Sequence, residues 1–230
     1  MTSGDGGTAC THRECAHGER ERLLTGPNVV TFVRTAATVV LALLGARQGS
    51  LGLLEWALAV YWVGDIADGA LARATGQETR TGATLDIMCD RLSAALFYVG
   101  FAWYEPRMVV PVGLYLVEFL VIDMFLSLAF LAWPISSPNY FHLVDRRIWR
   151  WNWSKPGKAV NSALLAVLMV VTRDLWFGPW LAGAIAAALL VLKVTSLFWL
   201  LRLRIPVPSG CGHEIGRSPT PAGRTKDNAA

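Results

Sequence analysis

The chain has 230 residues, of which 53% are hydrophobic and only 17% are charged, and its mean hydropathy is +0.40. A water-soluble domain carries about 25% charged residues, so this composition argues against a soluble enzyme. The net charge of +4 is small. Basic residues beside apolar segments already match an anionic lipid surface, so we expect a lipid bilayer and no nucleic acid as partner.

Six apolar segments follow one another along the chain, and a helix needs about 20 such residues to cross a membrane. The fifth segment is short unless its polar ends extend it. The sequence predicts an all-α integral membrane protein, a six-transmembrane-helix bundle with cytoplasmic termini. The expected spans are 29–46, 51–66, 84–103, 108–133, 159–172 and 180–201.

The two ends of the chain differ from the apolar part. Residues 1–27 are predicted to form a flexible and partly amphipathic cytoplasmic segment, and residues 205–230 a disordered cytoplasmic tail. The domain between them is expected to cover residues 28–204. The first segment also holds two Cys and two His, whose spacing is tighter than that of usual zinc patterns, so we interpret them as incidental. They are Cys10, His12, Cys15 and His17.

Lys and Arg predict the orientation, because they concentrate in cytoplasmic loops. They are frequent in both tails and in the loops after the second and fourth segments, whereas the opposite loops hold only Arg47, Arg107 and Arg173. We therefore expect a multi-pass protein of the cytoplasmic membrane. The loop 134–158 interleaves Trp with Arg. This mixture also anchors helices at a membrane interface, and we prefer that interpretation to a nucleic-acid surface.

Four aspartates stand where the second and third segments meet the cytoplasmic side. Asp65 and Asp68 are three residues apart and Asp86 and Asp90 four apart, so each pair shares a helix face. Four carboxylates in a partly dehydrated site repel one another unless they are neutralised. Hard divalent cations prefer such oxygen ligands, and two of them would suit phosphoryl transfer. The alternative is a surface ion network with Arg73, Arg80 and Arg91.

With the small residues between them, these acids read Asp65-x2-Asp68-Gly69-x2-Ala72-Arg73-x8-Gly82-x3-Asp86-x3-Asp90. This stretch resembles the signature of the CDP-alcohol phosphatidyltransferase family at every fixed position. The upstream "PNVVTFVR" is similar to the family's first-span opening, with Asn28, Thr31 and Arg34.

The resemblance implies that a phosphatidyl group passes from CDP-diacylglycerol to an alcohol acceptor and that CMP leaves. It also implies that Asp65, Asp68, Asp86 and Asp90 hold two divalent cations, Mg²⁺ or Mn²⁺, with Asp90 as the general base. Four residues would contact the CDP moiety, and a homodimer is expected. The four are Gly69, Arg73, Thr31 and Thr79.

The acceptor stays open among glycerol 3-phosphate, inositol phosphate and phosphatidylglycerol. Lys158 lies in a Gly-Lys segment that looks like the one opening the fifth span of phosphatidylglycerophosphate synthases, but it is equally a snorkelling interface lysine. Those synthases usually have an Arg before the acid of the fourth span, whereas Ile122 precedes Asp123 here. Arg91 follows Asp90 where the synthases commonly have Lys. Glu118 and Asp123 either serve function or pair with Arg34, Arg91 or Lys193.

Two other functions fit the same acids. A divalent-cation transporter also carries intramembrane carboxylates. However, transporter sites lie near the bilayer midplane between internal repeats, and none is evident in this sequence. A membrane scaffold that kept the metal site without turnover is the second alternative.

Overall fold

The computed structural model describes residues 21–206, and every regular element within that range is helical. All six predicted segments are helices, longer than predicted at one or both ends. The Cys and His residues of the N-terminal tail lie outside the described range. The helices are α1 (Gly26–Gln48), α2 (Leu51–Thr75), α3 (Arg80–Tyr104), α4 (Pro106–Ala132), α5 (Arg146–Asn152), α6 (155–172) and α7 (Gly178–Arg202).

The ends of the first three helices follow from local sequence. Thr25, Ser50 and Thr79 each cap a helix by accepting a hydrogen bond from a backbone N–H three residues later. Gly49 and Gly76 end α1 and α2 with positive φ values of 60° and 66°, a conformation that glycine adopts at little cost. The turns that connect α1, α2 and α3 are therefore short, and the three helices form one connected group.

Close packing within this group depends on two small residues. A Cβ placed on Gly45 of α1 would lie 3.0 Å from the Leu54 side chain, and one on Gly100 of α3 would lie 2.8 Å from it. Leu54 itself is completely buried. The missing side chains therefore let three helices converge around one leucine.

Two segments of wider, π-helical winding interrupt the later helices. Glu118–Asp123 lies within α4, and Val160–Leu164 lies within α6. Such windings occur frequently at functional positions. The first of them contains both acids of the fourth apolar segment.

Two buried apolar clusters lie along the bundle. The larger joins α2, α3, α4, α6 and α7 around stacked and tilted aromatic rings such as Phe97, Tyr98 and Tyr115. The smaller lies between α3, α4, α7 and the segment 133–153, around Phe130 and Phe141. Together they fix the helix bundle that carries the aspartates.

Within the described part of the chain, three helices are long and apolar enough to cross a membrane: α1, α4 and α7. The helices α2 and α3 carry the four aspartates and several arginines, which lower their hydropathy. In α6 the apolar stretch is short. The structure thus establishes a helical protein with three candidate spans, and the six-span count remains a prediction.

Candidate active site

The four aspartates come together between α2 and α3, as the spacing predicts. Carboxylate oxygens of Asp65, Asp68 and Asp86 all lie within 4.8 Å of one another. Asp68 is buried, whereas the other two are partly accessible. Asp90 lies outside this group of three but is connected to it through a shared partner.

That partner is Arg34 of α1. Its Nε donates to Asp68 at 2.7 Å, and its Nη2 donates to Asp86 at 2.5 Å and to Asp90 at 2.8 Å. The distance from Nη2 to Asp65 is 3.9 Å. An arginine of α1, which the alternative ion network did not include, therefore contacts the aspartates.

Glycine makes room for Arg34 in this position. A Cβ on Gly64 of α2 would lie 2.4 Å from Cδ of Arg34 and 2.7 Å from its Cβ. Asp68 is held further by Thr31, whose hydroxyl donates to it at 2.7 Å. The predicted Thr31 thus touches an acid of the site directly.

The excess of negative charge in the site favours the binding of cations. Arg34 neutralises only one of four negative charges, and unpaired charges in a poorly solvated site are costly. Three carboxylate oxygens that lie close together are the ligand set that Mg²⁺ and Mn²⁺ prefer. The donor chemistry therefore suits hard divalent cations, whereas Arg34 alone leaves an excess of negative charge.

An open cleft lies beside the acids. The four residues predicted to contact the CDP moiety, Thr31, Gly69, Arg73 and Thr79, all line it. A Cβ on Gly69 would lie 3.3 Å from Nη1 of Arg73, so this guanidinium does reach across the glycine. Thr79 has a second role, because its hydroxyl caps α3 by accepting from the N–H of Gly82.

Several lining residues were missed by sequence reasoning. Gln77 and Glu78 belong to the turn between α2 and α3, and Ser137 and Asn139 come from the segment after α4. Tyr140 donates to Glu78 at 2.7 Å and so connects this segment to the turn. Ser137 and Asn139 lie far along the chain from the acids, and no spacing rule points to them. The Gly-Gln-Glu-Thr turn, which lies between Arg73 and Gly82 of the motif, was a usable signal.

Lys158 lies apart from this cleft. It is exposed in the first turns of α6, and its charge is close enough to interact with that of Asp65. The acids of α4 do not contact the site either. Asp123 pairs with Arg91 and Lys193, which decides among the partners proposed from the sequence.

The fold and the site define an all-helical protein with candidate membrane spans and an acidic cluster suited to divalent cations. The sequence profile of the CDP-alcohol phosphatidyltransferase family matches residues 24–201. The chain therefore belongs to that family.

Three curated relatives share the name phosphatidylinositol phosphate synthase. The protein of Mycobacteroides abscessus is 42% identical over 81 residues, which cover 34% of this chain and 36% of the relative. That of Mycolicibacterium smegmatis is 40% identical over 81 residues, with 34% and 35% covered. That of Corynebacterium glutamicum is 34% identical over 83 residues, with 36% and 38% covered. The chain thus spans about a third of the length of the relatives it matches, and no solved structure matches it significantly.

Proposed function

We propose that this protein transfers a phosphatidyl group from CDP-diacylglycerol to an alcohol and releases CMP, as a step of phospholipid biosynthesis. One observation carries the proposal: carboxylate oxygens of Asp65, Asp68 and Asp86 lie within 4.8 Å of one another. Asp68 and Asp86 also line the cleft that Gly69 and Arg73 line. Membership of the family supports the same reaction.

Each acid has a proposed task in this reaction. Asp65, Asp68 and Asp86, together with Asp90, would hold two divalent cations, Mg²⁺ or Mn²⁺. When bound, such cations clamp phosphate oxygens and neutralise the charge that develops during transfer. Arg73 would place its guanidinium on a phosphate of the CDP moiety, a contact that charge assistance strengthens.

The chemical step is a displacement at the phosphorus atom that carries diacylglycerol. The oxygen of the acceptor hydroxyl forms the new P–O bond, and the bond from phosphorus to the bridging oxygen of CMP breaks. CMP leaves with that electron pair. Asp90 takes the proton from the hydroxyl. Arg34, which donates to Oδ1 of Asp90 at 2.8 Å, holds this carboxylate in place.

The proposed acceptor is a phosphorylated alcohol, inositol phosphate first and glycerol 3-phosphate second. The name of the relatives supports inositol phosphate. Lys158, exposed and close enough to act on the charge of Asp65, is the candidate for the acceptor phosphate. Because Ile122 stands where related synthases have Arg, phosphatidylglycerol stays in the acceptor panel.

We further propose six spans in the cytoplasmic membrane, a site that faces the cytoplasm, and a homodimer. The basic loops support this orientation. The homodimer rests on the family resemblance, and crosslinking in intact membranes tests it. Crosslinked samples that contain only the monomer would contradict the dimer.

The transfer itself is tested by incubating membranes with CDP-diacylglycerol, Mn²⁺ or Mg²⁺ and a panel of alcohols, followed by identification of the lipid formed. We expect one new lipid and equimolar CMP, both lost on chelation. Asp90→Asn should abolish transfer while sparing most of the Mn²⁺ binding. A transporter or a scaffold predicts no CMP with any alcohol, and that result would refute the enzyme.

A further inference from the structure

A second buried polar cluster lies behind the aspartates, on the other side of α3. Arg91 directly follows Asp90, and its side chain points away from Arg34 towards α4. There it contacts Asp123 and donates to Ser127 at 2.9 Å, with its guanidinium 3.9 Å from the centre of the Phe119 ring. Two adjacent residues of α3 are thus held from opposite sides.

Asp123 connects Arg91 to the last helix. Lys193 of α7 donates to Asp123 at 2.5 Å and to the amide oxygen of Asn152 at 2.9 Å. Asn152 in turn donates to Ser196 at 3.0 Å and to the carbonyl of Ile148 at 2.8 Å. The cluster therefore joins α3, α4, α5 and α7 by a continuous chain of hydrogen bonds.

The wide winding of α4 gives Asp123 its place. In an ordinary α-helix, residues five apart differ by about 140° around the axis, so Glu118 and Asp123 would point in different directions. The π-helical winding from Glu118 to Asp123 brings them nearer to one face. Both are buried in the cluster, with Glu118 only 1% exposed.

Asp123 lies between two buried cations of the cluster. Arg91 and Lys193 both contact its carboxylate, and Glu118 is buried with no hydrogen-bond partner at its Oε2. Lys193 is 2% exposed, so water screens these charges little. Removing Asp123 alone leaves two buried cations without their carboxylate, whereas removing Asp123 and Lys193 together leaves only Arg91 without it. A double variant that folds can therefore show whether the cluster affects catalysis as well as stability.

We propose that Asp123 is a positioning residue for the transfer: through Arg91 it fixes the rotation of α3 and thereby the place of Asp90 opposite Arg34. The inference rests on the proposed function. It accounts for the contacts that Arg91, the residue after Asp90, makes with α4. It also gives the acid of the fourth segment a task that involves no contact with substrate.

The main test is the double variant Asp123→Asn/Lys193→Met, which removes one negative and one positive charge, with Asp174→Asn as the matched control. Asp174 forms a surface ion pair with Arg173 and is remote from the cluster. We expect the purified double variant to fold but to unfold at a lower temperature than wild type, because Arg91 loses its carboxylate partner, so kcat is measured well below that temperature. Its kcat should fall about 100-fold, as for a misplaced reacting group, with little change in KM for CDP-diacylglycerol.

Mn²⁺ titration by electron paramagnetic resonance gives a readout independent of turnover. We expect the affinity for one of two Mn²⁺ ions to weaken about tenfold in the double variant and to stay unchanged in Asp174→Asn. A stable double variant with wild-type kcat and wild-type Mn²⁺ affinities would overturn the proposal. A loss confined to KM would overturn it as well.

Two further measurements test the proposal if the double variant does not fold or if the wild type is inactive. If the double variant does not fold, Ser127→Ala removes only one hydrogen bond of Arg91, and kcat should still fall several-fold; an unchanged kcat refutes the positioning role. If the wild type binds Mn²⁺ but transfers nothing, the proposed function fails. The Mn²⁺ affinities of the variants then test the positioning role of Asp123 independently of transfer.

Discussion

Arg34 holds the acidic site together, and its position depends on a residue with no side chain. The guanidinium reaches three carboxylates at hydrogen-bonding distance, while its stem passes over Gly64. Any Cβ at position 64 would occupy the space of that stem. The close approach therefore couples the packing of α1 against α2 to the geometry of the acids.

Gly64→Ala should reduce transfer at least tenfold, because the new methyl group would lie 2.4 Å from Cδ of Arg34 and displace it. Initial rates in membranes with equal amounts of protein measure this. Gly52→Ala in the same helix is the control, since a Cβ there meets no atom within 4 Å. It should gain up to about 1 kcal/mol of helix stability with unchanged activity. Equal activity of both variants would contradict the role of Gly64.

Metal removal tests the excess negative charge of the site. Because one arginine faces four carboxylates, we expect Mn²⁺ to raise the unfolding temperature of the purified protein and chelation to lower it. Saturation at about 100 times Kd corresponds to about 2.7 kcal/mol for each site. Asp68→Asn should lose most of this increase, and Asp174→Asn should keep it. Thermal unfolding in detergent measures both, and an undiminished increase in Asp68→Asn would speak against the site.

At the level of the helices, the start of α3 is held by hydrogen bonds to Glu21, a residue that precedes α1. The carboxylate of Glu21 accepts hydrogen bonds from the N–H groups of Arg80 at 2.8 Å and Thr81 at 2.6 Å. Partial burial raises the pKa of Glu21, but the hydrogen bonds from Thr81 and Arg80 lower it more, so the pKa lies below its ordinary value of 4.5. The start of the helix that carries Asp86 and Asp90 is thus tied to the segment before α1.

This contact predicts a pH dependence. A carboxyl group whose pKa is lower in the folded state stabilises the protein above its unfolded pKa, and this contribution disappears as the pH falls through the folded pKa. Wild type should therefore lose stability relative to Glu21→Gln as the pH falls below about 4.5. The amides of Arg80 and Thr81 should also exchange hydrogen faster in the variant at neutral pH. Superimposable stability profiles would disprove the contribution.

At the scale of the whole molecule, the open question is how many helices cross the membrane. The helices α1, α4 and α7 are apolar enough by themselves, whereas α2 and α3 carry the charged site. Burying that site against α1 shields its charges within the bundle, and this is how a polar helix can occupy a membrane. The six-span arrangement follows if such shielding is sufficient.

Reporter fusions separate the two arrangements. With six spans, fusions after Gln77, Val144 and Pro206 should be cytoplasmic, and fusions after Glu105 and Leu175 should lie on the opposite side. With three spans, Gln77 and Glu105 would share one side. Alkaline phosphatase and green fluorescent protein at each position report the side. Agreement of the Gln77 and Glu105 reporters would refute six spans.

The six long helices and the pairing of the aspartates could be predicted from the sequence, because both depend on neighbours three or four residues apart. Asp65 with Asp68 and Asp86 with Asp90 share helix faces in any α-helix. The same local rule placed Arg73 over Gly69. The same spacing carried the resemblance to the family whose profile matches residues 24–201.

The distant groups that meet those faces could not be predicted from the sequence, because they depend on how the helices pack. Arg34 reaches the acids because Gly64 lets α1 approach, and Asp123 meets Arg91 because α4 widens its winding. Ser137 and Asn139 reach the cleft through the path of the chain after α4. These contacts depend on helix rotation and separation, which arise from the packing of the whole bundle and not from any short stretch of residues.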